Sequence, residues 1–134
     1  MAGDGKGHYP YQAQIDAYGD HGFRFAEMSH RGGLMCLPSG MHSWGVTKPD
    51  QITLETLKPV LELAKDIDVL LIGLGDDIAP FSPEIRQVFS EQSIIVEAVA
   101  TRSAISTYNV LFSESRAVAA ALIAVERQSR VRNG

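Results

Sequence analysis

A chain of 134 residues, 45% hydrophobic and 21% charged, has the size and composition of one soluble domain whose core needs no covalent staple. The formal charge of -4 offers no general attraction to nucleic acid or an anionic membrane. A single cysteine, Cys36, excludes an intrachain disulfide and a cysteine-only metal cluster.

The N-terminal stretch, residues 1–10, is Gly-rich and polar and reads as a flexible lead-in. It lacks both the apolar core of a secretory signal and the arginines of an organellar presequence. The longest apolar run, residues 117–125, is too short to span a bilayer. A cytoplasmic protein that does not span the membrane is therefore expected. Residues 11–126 read as one α/β domain and residues 127–134 as a flexible basic tail.

From Gln14 to Tyr18 polar and apolar residues alternate, and Gly19-Asp20-His21-Gly22 makes a turn. Residues 23–27 alternate again, with Phe23 and Phe25 on one face and Arg24 on the other. His30-Arg31-Gly32-Gly33 breaks that strand. Residues 34–37 make the next, Pro38-Ser39-Gly40 ends it, and residues 41–46 form a fourth carrying Trp44. The spacing predicts an antiparallel meander packed by one face.

The period then changes. Leu54, Leu57, Val60, Leu61 and Ala64 share a helical face after Thr53. Pro59 is tolerated only near a first turn, so this helix either starts late or is kinked. Val69-Leu70-Leu71-Ile72-Gly73 is an aliphatic run of the kind buried on both faces. Ser82-Pro83-Glu84 supplies a helix start by hydroxyl cap, fixed φ and an acid at the positive dipole end. Ile85, Val88 and Phe89 face inward from it, and residues 93–97 read as a second buried strand. Strand, helix, strand at this length predicts a parallel crossover. Thr101 is placed to cap a helix whose Ala104, Ile105, Tyr108, Leu111 and Phe112 form a stripe. Residues 117–125 are read as a central strand rather than a helix. The fold class is α/β: three layers around a mixed, mostly parallel sheet, with helices on its faces and an N-terminal antiparallel β-meander.

Chemical constellations are sparse. Gly73-Leu74-Gly75 is half of a dinucleotide fingerprint, with Ile78 where the third Gly belongs. Asp76 and Asp77 put negative charge where a pyrophosphate would lie, which favours a structural turn. His8, His21, His30 and His42 show no ligand spacing, and Cys36 alternates as a small apolar residue, so no metal or cofactor is expected. Ser39 lacks the flanking glycines of a nucleophile elbow. Thr107 and Asn109 are poor helix-interior choices and signal a side-chain contact, to the backbone of an adjoining loop in preference to a ligand. If a ligand site exists, it is a crevice beyond the central strand lined by Arg24, Trp44, Gly73, Gly75, Asp76, Thr101 and Thr107. No catalytic set emerges.

The ordered series Tyr18-Gly19, Gly22-Phe23-Arg24-Phe25, Leu37-Pro38-Ser39-Gly40, Trp44, Ile52-Thr53-Leu54, Pro59-Val60-Leu61, Asp68 to Gly75, Pro83-Glu84-Ile85-Arg86, Thr101, Thr107 to Leu111 and Val118 to Ile123 resembles the Mth938-like domain family. Leu74 stands where Thr is more usual. The resemblance implies a three-layer α/β fold whose last strand runs antiparallel to the others, and it implies no reaction. It includes a mitochondrial factor for respiratory complex I assembly and an adipogenesis-associated protein. The resulting expectation is a non-catalytic interaction or assembly module of the cytoplasm. Its partner is a protein, in respiratory-complex or other membrane-complex assembly, and nucleic acid is not one. The meander edge is the expected contact surface, with homodimerisation through it a separate expectation. A small-ligand binder or enzyme using the crevice at residues 73–77 is the rival reading.

Overall fold

The computed structural model describes residues 8–126 and 129–130. Among the described residues, ten short strands and three α-helices follow one another as β1 (His8–Tyr9), β2 (Ala17–Gly19), β3 (Gly22–Phe25), β4 (Met28–Arg31), β5 (Gly33–Leu37), β6 (Gly40–Trp44), α1 (Lys58–Leu61), β7 (Val69–Gly73), α2 (Pro83–Glu91), β8 (Ile95–Val99), α3 (Thr101–Ser113), β9 (Val118–Leu122) and β10 (Ser129–Arg130). Six strands form one sheet in the order β1-β6-β5-β9-β7-β8, and the other four form a second, β10-β2-β3-β4. Within the larger sheet β7 is parallel to β8 and β9, while β5 runs antiparallel to β6 and β9 and β1 antiparallel to β6. The sheet is mixed, and its parallel part is confined to β9, β7 and β8.

The aliphatic run is the spine of that sheet. Leu70, Leu71 and Ile72 are each fully buried, and successive side chains enter different cores. Leu70 and Ile72 join Met35, Trp44, Ile85, Phe89 and Ala121 on one face. Leu71 joins Ile15, Phe23, Phe25, Ala104, Ile105 and Tyr108 on the other, beneath α3 and the smaller sheet. The central β9 meets the same demand with Ala119, Ala120 and Ala121, all at 0% exposure. Residues 117–125 therefore supply a central strand, as the short uncharged run predicts. Ser82 caps α2 by accepting from the Ile85 amide at 3.2 Å, again as predicted.

Several expectations need correction. The meander does not stay together: β2, β3 and β4 form the small sheet with β10, while β5 and β6 join the large one. Strand β4 was missed because its hairpin turn, Ala26-Glu27 (φ 50° and 62°), carries no Gly or Asn to announce two left-handed residues. The expected lead-in 1–10 includes strand β1, and the expected tail includes β10; residues 1–7, 127–128 and 131–134 lie outside the described residues. Of the two alternatives for the helix after Thr53, the late start is the one observed, at Lys58 with Pro59 in the first turn. Strand β8 is an edge, not an interior strand, with Ile95 64% exposed. Strand β9 is parallel to its neighbour β7 and antiparallel only to β5, so the last strand is not antiparallel to all others.

Candidate functional site

At the carboxyl end of β7 the chain turns through Gly73, Leu74 and Gly75 (φ 104°) against the start of α3. Thr101 is the first helical residue, not the cap, which is Ala100. Its hydroxyl accepts from the Gly75 amide at 3.0 Å and donates to the Ile123 carbonyl at 2.8 Å. The Thr101 amide donates to the Gly75 carbonyl, the Leu74 amide to the Val99 carbonyl, and the Ile123 amide to the Gly73 carbonyl. A Cβ at Gly73 would lie 2.7 Å from Thr101 Oγ1 and 3.0 Å from Thr101 Cα. Glycine is needed there because helix and strand approach so closely. The corner joins β7, β9 and α3, and the Thr101 hydroxyl is fully engaged in doing so.

The structure brings together Gly73, Gly75 and Thr101, with Asp76 exposed just beyond them. It does not gather the other candidates around that corner. Trp44 is 5% exposed on the α2 side of the large sheet, its indole N–H donating to the Thr56 carbonyl at 2.8 Å. Arg24 is exposed on the small sheet, which packs on the other side, and donates to Ser29 Oγ at 2.8 Å. Thr107 is half-buried on α3. The alternation of β3 turns Arg24 away from the core that Phe23 and Phe25 enter.

Asn109, an odd polar choice inside α3, is explained by the segment before β2. Asn109 Oδ1 accepts from the Ile15 amide and Nδ2 donates to the Ile15 carbonyl, both at 2.9 Å. One side-chain amide thus takes the place of a neighbouring strand. Tyr108 Oη donates to the Ala13 carbonyl at 2.7 Å, Gln14 Nε2 to the Asn109 carbonyl, and Gln12 Nε2 to the Val118 carbonyl. The backbone contact expected from residue choice is the one observed at Asn109. A contact the sequence did not signal is Ser39 Oγ with His42 Nε2, 2.9 Å apart on the exposed β5–β6 hairpin. It depends on hairpin register, which no local pattern reveals.

Cys36 lies fully buried in the same core cluster as Tyr108. Burial pushes the thiol far above its ordinary 9.0, and the polar Tyr108 side chain beside it opposes this only in part. Burial, followed by the neighbouring Cys36, likewise pushes Tyr108 far above 10.0. A thiol held protonated this way is neither nucleophile nor metal ligand at neutral pH. Among the described residues no group of three or more His, Cys, Asp and Glu could hold a metal ion. Stability follows from the same shifts. Above pH 9.0 the unfolded chain releases the thiol proton that the folded chain keeps, so stability falls as pH rises. Urea unfolding is expected to show no loss from Cys36 below pH 8 and a loss approaching about 1.4 kcal/mol per pH unit between pH 9 and 11, and Cys36→Ala removes that component.

The remaining polar feature is the outer edge of β8. The Ile95 amide donates to the Asp68 carbonyl and the Val99 carbonyl accepts from Leu74. Residues 95, 97 and 99 therefore direct their peptide groups at β7, and Val96 and Ala98 direct theirs outward. Arg86, from α2, donates to the Val96 carbonyl and stands 5.4 Å from the Phe81 ring centroid.

With this geometry in place, comparison with known proteins decides the family. The family model described as protein of unknown function (DUF498/DUF598) matches residues 15–123. The chain belongs to that family. Members similar to it include an uncharacterized protein of Rhodobacter capsulatus, 36% identical over 81% of this chain and 82% of that protein. The NADH dehydrogenase [ubiquinone] 1 alpha subcomplex assembly factor 3 of Xenopus tropicalis is 32% identical over 81% of this chain. The chain spans 60% of the length of that relative. A crystal structure described as an outer membrane protein from Bartonella henselae is 47% identical, with TM-score 0.85, covering 89% of this chain and 100% of that one. A solution structure from Bordetella pertussis described as a Mth938-like domain is 27% identical, with TM-score 0.74, covering 84% of this chain and 85% of that one. The DUF498/DUF598 family and the Mth938-like fold are thus the frame into which the Thr101 corner and the Asn109 clamp fit. Among the described residues no helix is long and apolar enough to cross a membrane.

Proposed function

We propose that this DUF498/DUF598 domain is a non-catalytic assembly factor of the cytoplasm that binds protein subunits of a respiratory NADH dehydrogenase during its construction. The observation that carries the reading is the 32% identity to a complex I assembly factor across 81% of the chain. The geometry supports it from the other side. The crevice candidate Thr101 and the helix residues Tyr108 and Asn109 hold backbone segments together. The large sheet ends outward in strand β8 with an exposed Ile95, on a chain whose formal net charge is -4. Ligand binding at residues 73–77 has less support, because the hydroxyl and amides at that corner already serve each other. The test is photo-cross-linking of the tagged full chain in native membrane extract. Cross-links to NADH dehydrogenase subunits or their subassemblies are the expected result.

A further inference from the structure

Strand β8 ends the large sheet, and its outward side carries the peptide groups of Val96 and Ala98. Exposed side chains on one face of the strand follow at two-residue spacing: Ile95, 64% exposed, then Glu97. Val96 turns into the core on the opposite face, beside Leu70 and Phe89, so the strand is anchored along its inner side. A large exposed isoleucine beside a row of outward backbone groups is the arrangement that accepts an added strand. The charge beside it selects among occupants. A second copy paired antiparallel along the whole of β8 would set Glu97 against its own equivalent, and like charges directly opposite destabilise a strand pair.

We infer that the outer edge of β8 takes an extended segment of a partner protein with a cationic side chain opposite Glu97 and an apolar one opposite Ile95. This rests on the assembly reading and names the face through which it operates. Arg86 is the present occupant of one position on that edge: its guanidinium donates to the Val96 carbonyl where an incoming N–H would bind. The incoming segment displaces it, while the Phe81 ring offers the guanidinium a second resting contact.

The test is an amide-shift titration of the 15N-labelled full chain with two capped pentapeptides, valine-threonine-lysine-threonine-valine and the same peptide with glutamate at its centre. The lysine peptide is expected to shift the Val96 and Ala98 amides most, and to bind about fivefold more tightly than the glutamate peptide. Glu97→Lys reverses the preference, and Ile95→Ser weakens both; these exposed positions leave the core untouched, which the dispersion of the remaining amide signals verifies. Equal binding of the two peptides, shifts centred on β4 or β1, or no shifts at all would overturn the inference. Concentration-dependent shifts at β8 without peptide would overturn it in favour of a second copy. Cross-links to NADH dehydrogenase subunits from faces other than β8 would remove this edge and leave the assembly role standing. Charge-selective peptide binding without any such cross-links would do the reverse.

Discussion

Leu70→Ala and Leu71→Ala are each expected to lower the unfolding free energy by about 2–5 kcal/mol, read from guanidinium midpoints at constant slope. The two residues are neighbours in sequence and both 0% exposed, yet they enter opposite cores. Leu70 packs in the cluster of Ile85 and Phe89, supplied by α2. Leu71 packs in the cluster of Ala104, Ile105 and Tyr108 from α3 and of Phe23 and Phe25 from the small sheet. A strand with one wet face would give one large loss and one small one. Two losses of similar size distinguish a sandwiched strand from that alternative. Domains of this size have about 5–15 kcal/mol in total, so either change alone brings the molecule toward its threshold.

Asn109→Ala is expected to cost about 2–4 kcal/mol, although alanine is the better helix former. The variant leaves the amide and the carbonyl of Ile15 without their partner in a site where water does not replace it, since Ile15 is 1% exposed. Native-state hydrogen exchange adds a local signature: the Ile15 amide loses protection while the amides of β7 keep theirs. Asn109→Asp costs more than alanine, because a carboxylate accepts from the amide but faces the Ile15 carbonyl with a second acceptor. Thr107→Ala, half-buried two residues away on the same helix, serves as the comparison and stays within about 1 kcal/mol. Equal effects at both positions would assign the loss to the helix and not to the clamp.

The parts of the fold legible in sequence are those whose cause is local. The aliphatic run of β7 states its burial, Ser82 with Pro83 states a helix start, and the uncharged alanine-rich run of β9 states a crowded interior strand. Asn109 was visible for the opposite reason: a poor helix former in a helix interior needs a partner that compensates it. The turn at Ala26-Glu27 was not legible, because its left-handed backbone is imposed by strand pairing on residues that do not prefer it. Nor was the division of the meander between two sheets. That choice is made by β9 and β10, which pair with β5 and β2 from the far end of the chain. Thr101 looked like a helix cap, and its type fits one. Its actual partners, Gly75 and Ile123, lie 26 and 22 residues away and come together only in the folded sheet. Ile95 misled in the same way, since Ile94-Ile95 reads as interior and only strand order makes β8 an edge.

The candidate crevice divides along the same line. Gly73, Gly75 and Thr101 meet where the chain passes from β7 and from β8 into its following segment, and Thr101 bonds to Gly75 there. Arg24 and Trp44 do not join them, because the large sheet stands between the two residues. What remains is a domain whose internal polar groups Thr101, Tyr108 and Asn109 serve its own backbone and whose β8 edge carries an exposed Ile95 beside Glu97.

Photo-cross-linking of the full chain in native membrane extract bears most directly on whether such a domain works by assembly. Adducts with NADH dehydrogenase subunits, enriched in incomplete complexes over the finished enzyme, are the predicted result. A chain that forms no adduct with any of these subunits, while purified protein turns over a small metabolite, would contradict it.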